Sequence, residues 1–201
     1  MKKVILPAIC ILLCTLCILF VPTEAEAQIY EDTVRLHILA PSDTVDDQNL
    51  KLELRDFILK KYGKIISDSS SPAEAESKLL RFLPLIEEDC RAFIVDAGYS
   101  YPVTVKLTEE WFNTRDYNAF SLPSGRYVSL TVTIGGGKGQ NWWCVMYPPL
   151  CLDAALSDTA DTYSDDELRL ISKGGYRIKF KLLEVASAIF NEENKKFPKS
   201  S

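Results

Sequence analysis

The sequence predicts an α+β fold, a mainly antiparallel sheet packed against two or more amphipathic helices, with residues 28–201 forming one domain. Three observations predict it. Apolar residues at helical spacing mark residues 42–98, segments rich in β-branched and aromatic residues follow within 101–147, and the two kinds are partly segregated along the chain instead of repeating as βαβ units. No repeat and no linker rich in Gly, Ser and Pro divides the chain.

Ahead of this domain, Lys2 and Lys3 precede the run Val4–Val21, in which 16 of 18 residues are apolar. Pro22 and Ala25-Glu26-Ala27 follow as a helix breaker and an A-x-A cleavage site. Residues 1–27 read as a signal peptide, with an uncleaved anchor as the alternative because 18 residues is the lower limit for a span. Cys10, Cys14 and Cys17 follow Ile9, Leu13 and Leu16, which lack the small size required before a lipid-modified cysteine, so they read as apolar filler. Residues 28–201 are expected outside the cytosol.

Thr33–Ala40 alternates Val34, Leu36 and Ile38 against Thr33, Arg35 and His37, the pattern of a half-buried strand. Ser42, Asp43 and Thr44 offer N-caps to a helix with apolar positions Leu50, Leu54, Phe57, Ile58, the Lys61 stem and Ile65, which Gly63 is expected to end early. Ser71-Pro72-Ala73-Glu74 is a capping box with proline at the first helical position. The helix it starts carries the stripe Leu79, Leu80, Leu83, Ile86, Cys90, Phe93, Ile94 and Ala97, kinks at Pro84 and stops at Gly98. Strands are expected over 101–107, 125–134 and 141–147, the last two joined as a hairpin through Gly135–Gly139. An acidic loop at 157–167 leading into a short helix to Ser172, a strand at 176–180, a helix at 182–190 and a polar tail are expected to follow.

With 23 Lys plus Arg against 28 Asp plus Glu, the net charge is −5, which argues against nucleic acid or anionic lipid as a partner. Gly135–Gly139 with Lys138 is not a phosphate loop, since Gly139 stands where Ser or Thr must follow the lysine and a strand comes next. No CxxC or HxxH pair suggests zinc, and the 157–167 acidic run lacks calcium-loop spacing, so no cofactor is expected. His37, the single histidine, would have to serve any Cys–His nucleophilic site, with Cys90 or Cys144 as the leading thiols and Cys151 as a third.

Cys144 and Cys151 bracket a Pro148-Pro149 turn. They are either a disulfide, as export would favour, or two buried thiols, and Cys90 reads as a core residue. Trp142 and Trp143 point to opposite faces of their strand, so one packs inward and the other is a candidate contact beside the prolines, unless the helices cover both. The candidate partner-binding residues are Asn141, Trp142, Trp143, Tyr147, Pro148 and Pro149.

Three segments carry a specific resemblance: Val34–Ala40 followed by Ser42-Asp43 and Asp47-Gln48, Leu50–Asp56, and Leu122–Gly125 with Tyr127. The most specific is a fourth, Gly137–Val145 continuing through Pro148-Pro149-Leu150-Cys151. Together they resemble the stage II sporulation protein R family of endospore-forming bacteria, which has Asn in place of Pro41 and Glu in place of Gly136. The resemblance implies a non-enzymatic signalling protein made in the forespore and exported into the space between the forespore and mother-cell membranes. There it would activate by binding a membrane-embedded aspartic peptidase, stage II sporulation protein GA, that processes the precursor of sigma factor E. The competing expectation is an exported hydrolase using Cys144 or Cys90 with His37.

Overall fold

A computed structural model of the chain describes residues 24–116 and 121–149, together with Pro7, Cys10, Cys14 and Asp166. The expected elements at 157–172 (Asp166 apart), 176–180 and 182–190, most of the apolar N-terminal run, and Cys151 lie outside the described residues. The described residues fall into two compact units. The larger holds Ile29–Trp111 and continues from Arg126, and the other holds Phe112–Gly125 with the start of the first helix.

The elements run α1 (Glu24–Glu31), β1 (Val34–Leu39), α2 (Val45–Ile58), a π-helical turn (Leu59–Gly63), α3 (Lys64–Ser67), α4 (Pro72–Asp96), β2 (Val103–Phe112), β3 (Arg115–Asp116), β4 (Ser121–Leu122), β5 (Gly125–Ile134) and β6 (Asn141–Tyr147). Strand order in the main sheet is β2-β5-β1-β6, while β3 and β4 form a separate short antiparallel ladder. The fold is α+β, as the segregation of periodicities predicts. The sheet is mixed, because the central pair β1 and β5 is parallel while β1 and β6 are antiparallel.

One expected connection is overturned. β5 and β6 are not a hairpin, because β1 lies between them, and Gly135–Gln140 crosses over the end of β1. The glycines make that crossing possible at close range. Gly137 has φ +58°, and a Cβ on Gly139 would lie 2.1 Å from the Ser42 carbonyl oxygen.

The first long helix begins at Thr44, whose hydroxyl accepts the Asp47 N–H at 3.3 Å. It does not end at Gly63. The π turn carries the chain through, and the buried series is Leu50, Leu54, Ile58, Tyr62 and Ile66, not Lys61 and Ile65. A strict spacing of four drifts about 40° per step around an α-helix, and a wider π turn takes up that drift. In α4, Ser71 caps Glu74 N–H as expected, while the Glu74 carboxylate accepts from the N–H and hydroxyl of Ser70, one residue earlier than the usual reciprocal bond. Those bonds from Ser70, with Lys78 beside them, hold the Glu74 carboxyl down at about 2. The helix runs through Pro84 to Asp96, Gly98 follows at φ +86°, and Leu80 and Ala97 of the expected stripe are exposed.

One core holds the larger unit together. Val34, Leu36 and Ile38 of β1 and Leu130, Val132 and Ile134 of β5 meet Leu50, Leu54 and Ile58 of α2 and Leu79, Ile86, Cys90 and Ile94 of α4. The helices therefore cover one face of the sheet.

Candidate functional site

The other face of the sheet carries a row of polar and aromatic side chains that crosses all four strands. Strand alternation turns Arg35 and His37 away from the helices, and register sets His37 beside Thr131 on β5 and Trp143 on β6. The Glu110 carboxylate on β2 completes the row. It lies 2.7 Å from His37 Nδ1 through one oxygen and accepts the Thr131 hydroxyl at 2.6 Å through the other. The Trp143 ring stacks on His37 with centroids 5.4 Å apart and planes at 18°. Burial pushes the Glu110 carboxyl up, but hydrogen bonds from His37 and Thr131 and the His37 charge outweigh it and leave it below its ordinary value.

The row has a closed side and an open side. Toward the start of β1, Arg35 and Ser129 are fully buried, and the Arg35 guanidinium stands 5.0 Å from the Tyr127 ring centroid. Tyr30 packs edge-on against that ring at 5.1 Å. Toward the strand ends the cover thins: His37 keeps 13% of its side-chain surface, Glu110 keeps 25%, and Trp143 is half-buried. Fixed ring planes, a carboxylate held by His37 and Thr131, and partial exposure suit recognition of another surface.

The structure separates the residues that the sequence grouped as one contact surface. Trp143 lies in this row, whereas Trp142 faces the helices, packs on the core and holds the Arg55 guanidinium 4.3 Å from its ring centroid. Trp142 Nε1 is buried without a hydrogen-bond partner. Asn141 is half-buried opposite Leu39, Tyr147 and Pro148 are buried, and Pro149 is half-buried. A register shift between Val34 and Arg35 turns Tyr147 onto the core side, where burial raises its hydroxyl above the usual phenol range.

The Cys–His arrangement is not assembled. Cys90 sits in the helical core, and burial, reinforced by the Asp89 and Glu87 charges, pushes its thiol up to about 12. A nucleophile needs the thiolate. Cys144 pairs in register with Leu36 on the core face and is disulfide-bonded. Both stand on the side of the sheet opposite His37. Among the described residues no group of three metal-ligating side chains occurs, and no helix is long and apolar enough to cross a membrane.

Sequence reasoning placed His37 and Trp143 among the candidates but missed Glu110, Thr131 and Arg35. Arg35 was visible as a charge inside an apolar strand, while Glu110 lies beyond the expected end of its strand and meets His37 only through the order β2-β5-β1.

A second network ties the end of β1 to the crossing loop. Gly139 N–H donates to Ala40 carbonyl at 2.9 Å and Gln140 N–H to Asp43 Oδ1 at 2.6 Å. Lys51 donates to the Gln140 carbonyl at 3.0 Å and to Gln48 Oε1 at 2.5 Å, while Gln48 reaches the Ser42 carbonyl at 2.9 Å. Burial lowers the Lys51 amine, with the Asp43 charge opposing it and Arg55 adding to it. These bonds join Ala40–Lys51 to Gly139-Gln140, and both stretches contain residues that carry the sequence resemblance.

The family model described as stage II sporulation protein R matches residues 30–156. The chain belongs to the stage II sporulation protein R family. It is 33% identical over 138 residues to "Stage II sporulation protein R" of Bacillus subtilis (strain 168), an alignment that covers 68% of this chain and 62% of the relative's length. No solved structure matches. The matched region takes in the cross-sheet row, the loop network and Cys144. The family is one of sporulation proteins.

Proposed function

We propose that this family member is a binding signal: made in the forespore, exported into the space between the forespore and mother-cell membranes, and recognised there by the membrane-embedded aspartic peptidase stage II sporulation protein GA. Binding would favour the peptidase's active state and so the processing of the sigma factor E precursor. A ligand shifts such an equilibrium only by its differential affinity for the two states. Membership in a sporulation family supports the setting. The Cys144 disulfide supports an oxidising compartment outside the cytosol.

The observation that carries the reading is the row Glu110–Thr131–His37–Trp143, held rigid by its own hydrogen bonds and open at one end. Among the described residues, Cys90 and the disulfide-bonded Cys144 stand on the face of the sheet opposite His37, which favours the binding reading over a Cys–His hydrolase built on either thiol.

Co-expression of this chain with the peptidase and the sigma factor E precursor tests the proposal. Trp143→Ala removes the half-buried aromatic at the open side of the row, and a contact of that kind is worth about 2 kcal/mol, so processing should fall roughly thirtyfold at limiting dose. Glu53→Ala, on the exposed side of α2, should leave processing unchanged. Full processing by a folded, exported Trp143→Ala chain would sink the proposal.

A further inference from the structure

Two unpaired lysines border the open side of the row. On β2, Val103 and Val105 pack on the core, so strand alternation turns Thr104, Lys106 and Thr108 to the same face as Glu110, and all three are exposed. The Pro102 carbonyl accepts the Gly135 N–H at 2.8 Å, while Arg126 Nε lies 3.3 Å from Glu109. β2 therefore runs antiparallel to β5, and Lys106 stands on the strand-end side of Glu110. The second lysine is on the crossing loop. A Cβ on Gly137 would lie 2.9 Å from Thr133 Cγ2 and 3.4 Å from Leu39 Cβ, and these two side chains follow Thr131 and His37 on the outer face. The loop thus bears on that face at the strand ends, and its exposed Lys138 comes next.

Neither lysine has a hydrogen bond or an ion pair among the described residues. Glu110, the carboxylate on the same face, gives one oxygen to His37 and the other to Thr131. Leu39 and Trp143 lie alongside as half-buried apolar groups. In a chain of net charge −5, this side offers an acidic partner two uncompensated cations next to apolar surface, and complementary charge of that kind selects and orients a partner. We propose, on the binding reading above, that the partner meets the open side with a short acidic segment, its carboxylates on Lys106 and Lys138 and an apolar side chain on Leu39 and Trp143. Three strand spacings separate β2 from β6, about 14 Å, which roughly four extended residues span.

The test co-expresses the full chain with the peptidase and the sigma factor E precursor and treats the membranes with a water-soluble carbodiimide, which joins an amine to a carboxylate as an amide with loss of water. Crosslinked peptides are then read by mass. Lys106 and Lys138 should each be joined to Asp or Glu of the peptidase, and the exposed Lys60 and Lys64, on the helix side of the sheet, should not. Lys106→Glu and Lys138→Glu should each lower processing about fivefold at limiting dose, while Lys106→Arg and Lys138→Arg, which keep the charge, should stay within about twofold of the parent. Full processing by folded, exported charge-reversed chains overturns the acidic partner, as do crosslinks from both lysines only to carboxylates of this chain or of a second copy. Loss with Trp143→Ala beside silent lysine reversals overturns the acidic partner alone. Full processing by Trp143→Ala overturns the binding reading and the acidic partner with it.

Discussion

At the scale of single residues, the crossing loop separates glycines that the fold requires from one that it does not. A Cβ on Gly139 would meet Ser42 carbonyl carbon and oxygen at 2.4 and 2.1 Å, and both atoms are backbone held by the Gln48 bond. A Cβ on Gly136 meets only the flexible Lys138 side chain, at 3.6 Å. Gly139→Ala should therefore cost about 2–4 kcal/mol in urea unfolding, and Gly136→Ala should stay within about 0.5 kcal/mol of the parent. Equal effects would refute the assignment. None of this shows in a string of glycines, because the deciding neighbour of Gly139 is 97 residues earlier in the chain.

At the scale of elements, the π turn is the feature that local periodicity misread. Gly63 looks like a stop because glycine is a poor helix former, yet it is buried at φ −55° inside a continuing helix. The turn brings Tyr62 and Lys61 together on Asp89 of α4: the Tyr62 hydroxyl donates to Asp89 Oδ2, and Lys61 Nζ lies 2.6 Å from it. Hydrogen bonds from Lys61 and Tyr62 hold the Asp89 carboxyl below its ordinary 3.8. A carboxyl depressed on folding stabilises above its unfolded value, and that stabilisation fades as pH falls through the folded value. Tyr62→Phe should thus cost about 1–2 kcal/mol at pH 7, and the difference should shrink as pH falls below 3.8 and through the lower value at which the folded Asp89 carboxyl takes up its proton. A pH-independent difference would show that the ring packing, not the bond, carries the effect. The crossover was illegible for a related reason. Two strands joined by a glycine-rich loop look like a hairpin until β1, nearly 90 residues upstream, is placed between them.

At the scale of the whole molecule, the sequence discloses most of the described elements, because capping residues and period-two strands are local signals. The candidate site is non-local. Its four members come from four strands, and their meeting depends on a mixed strand order that periodicity does not encode. Cys144 is disulfide-bonded, Cys90 is free and buried, and Cys151 is the partner expected from the Pro148-Pro149 turn. Closing so short a loop restrains the unfolded chain by about 2.5 kcal/mol on the entropic model. Alkylation of the native exported protein without reductant should therefore label none of Cys90, Cys144 and Cys151, and unfolding without reductant should expose Cys90 alone. Cys144→Ser and Cys151→Ser should each lower stability by about 2.5 kcal/mol, and the double substitution by no more than either, since one bridge can be lost only once. Additive losses, or native labelling of Cys151, would assign Cys144 a different partner and remove the turn from the account of how β6 is held.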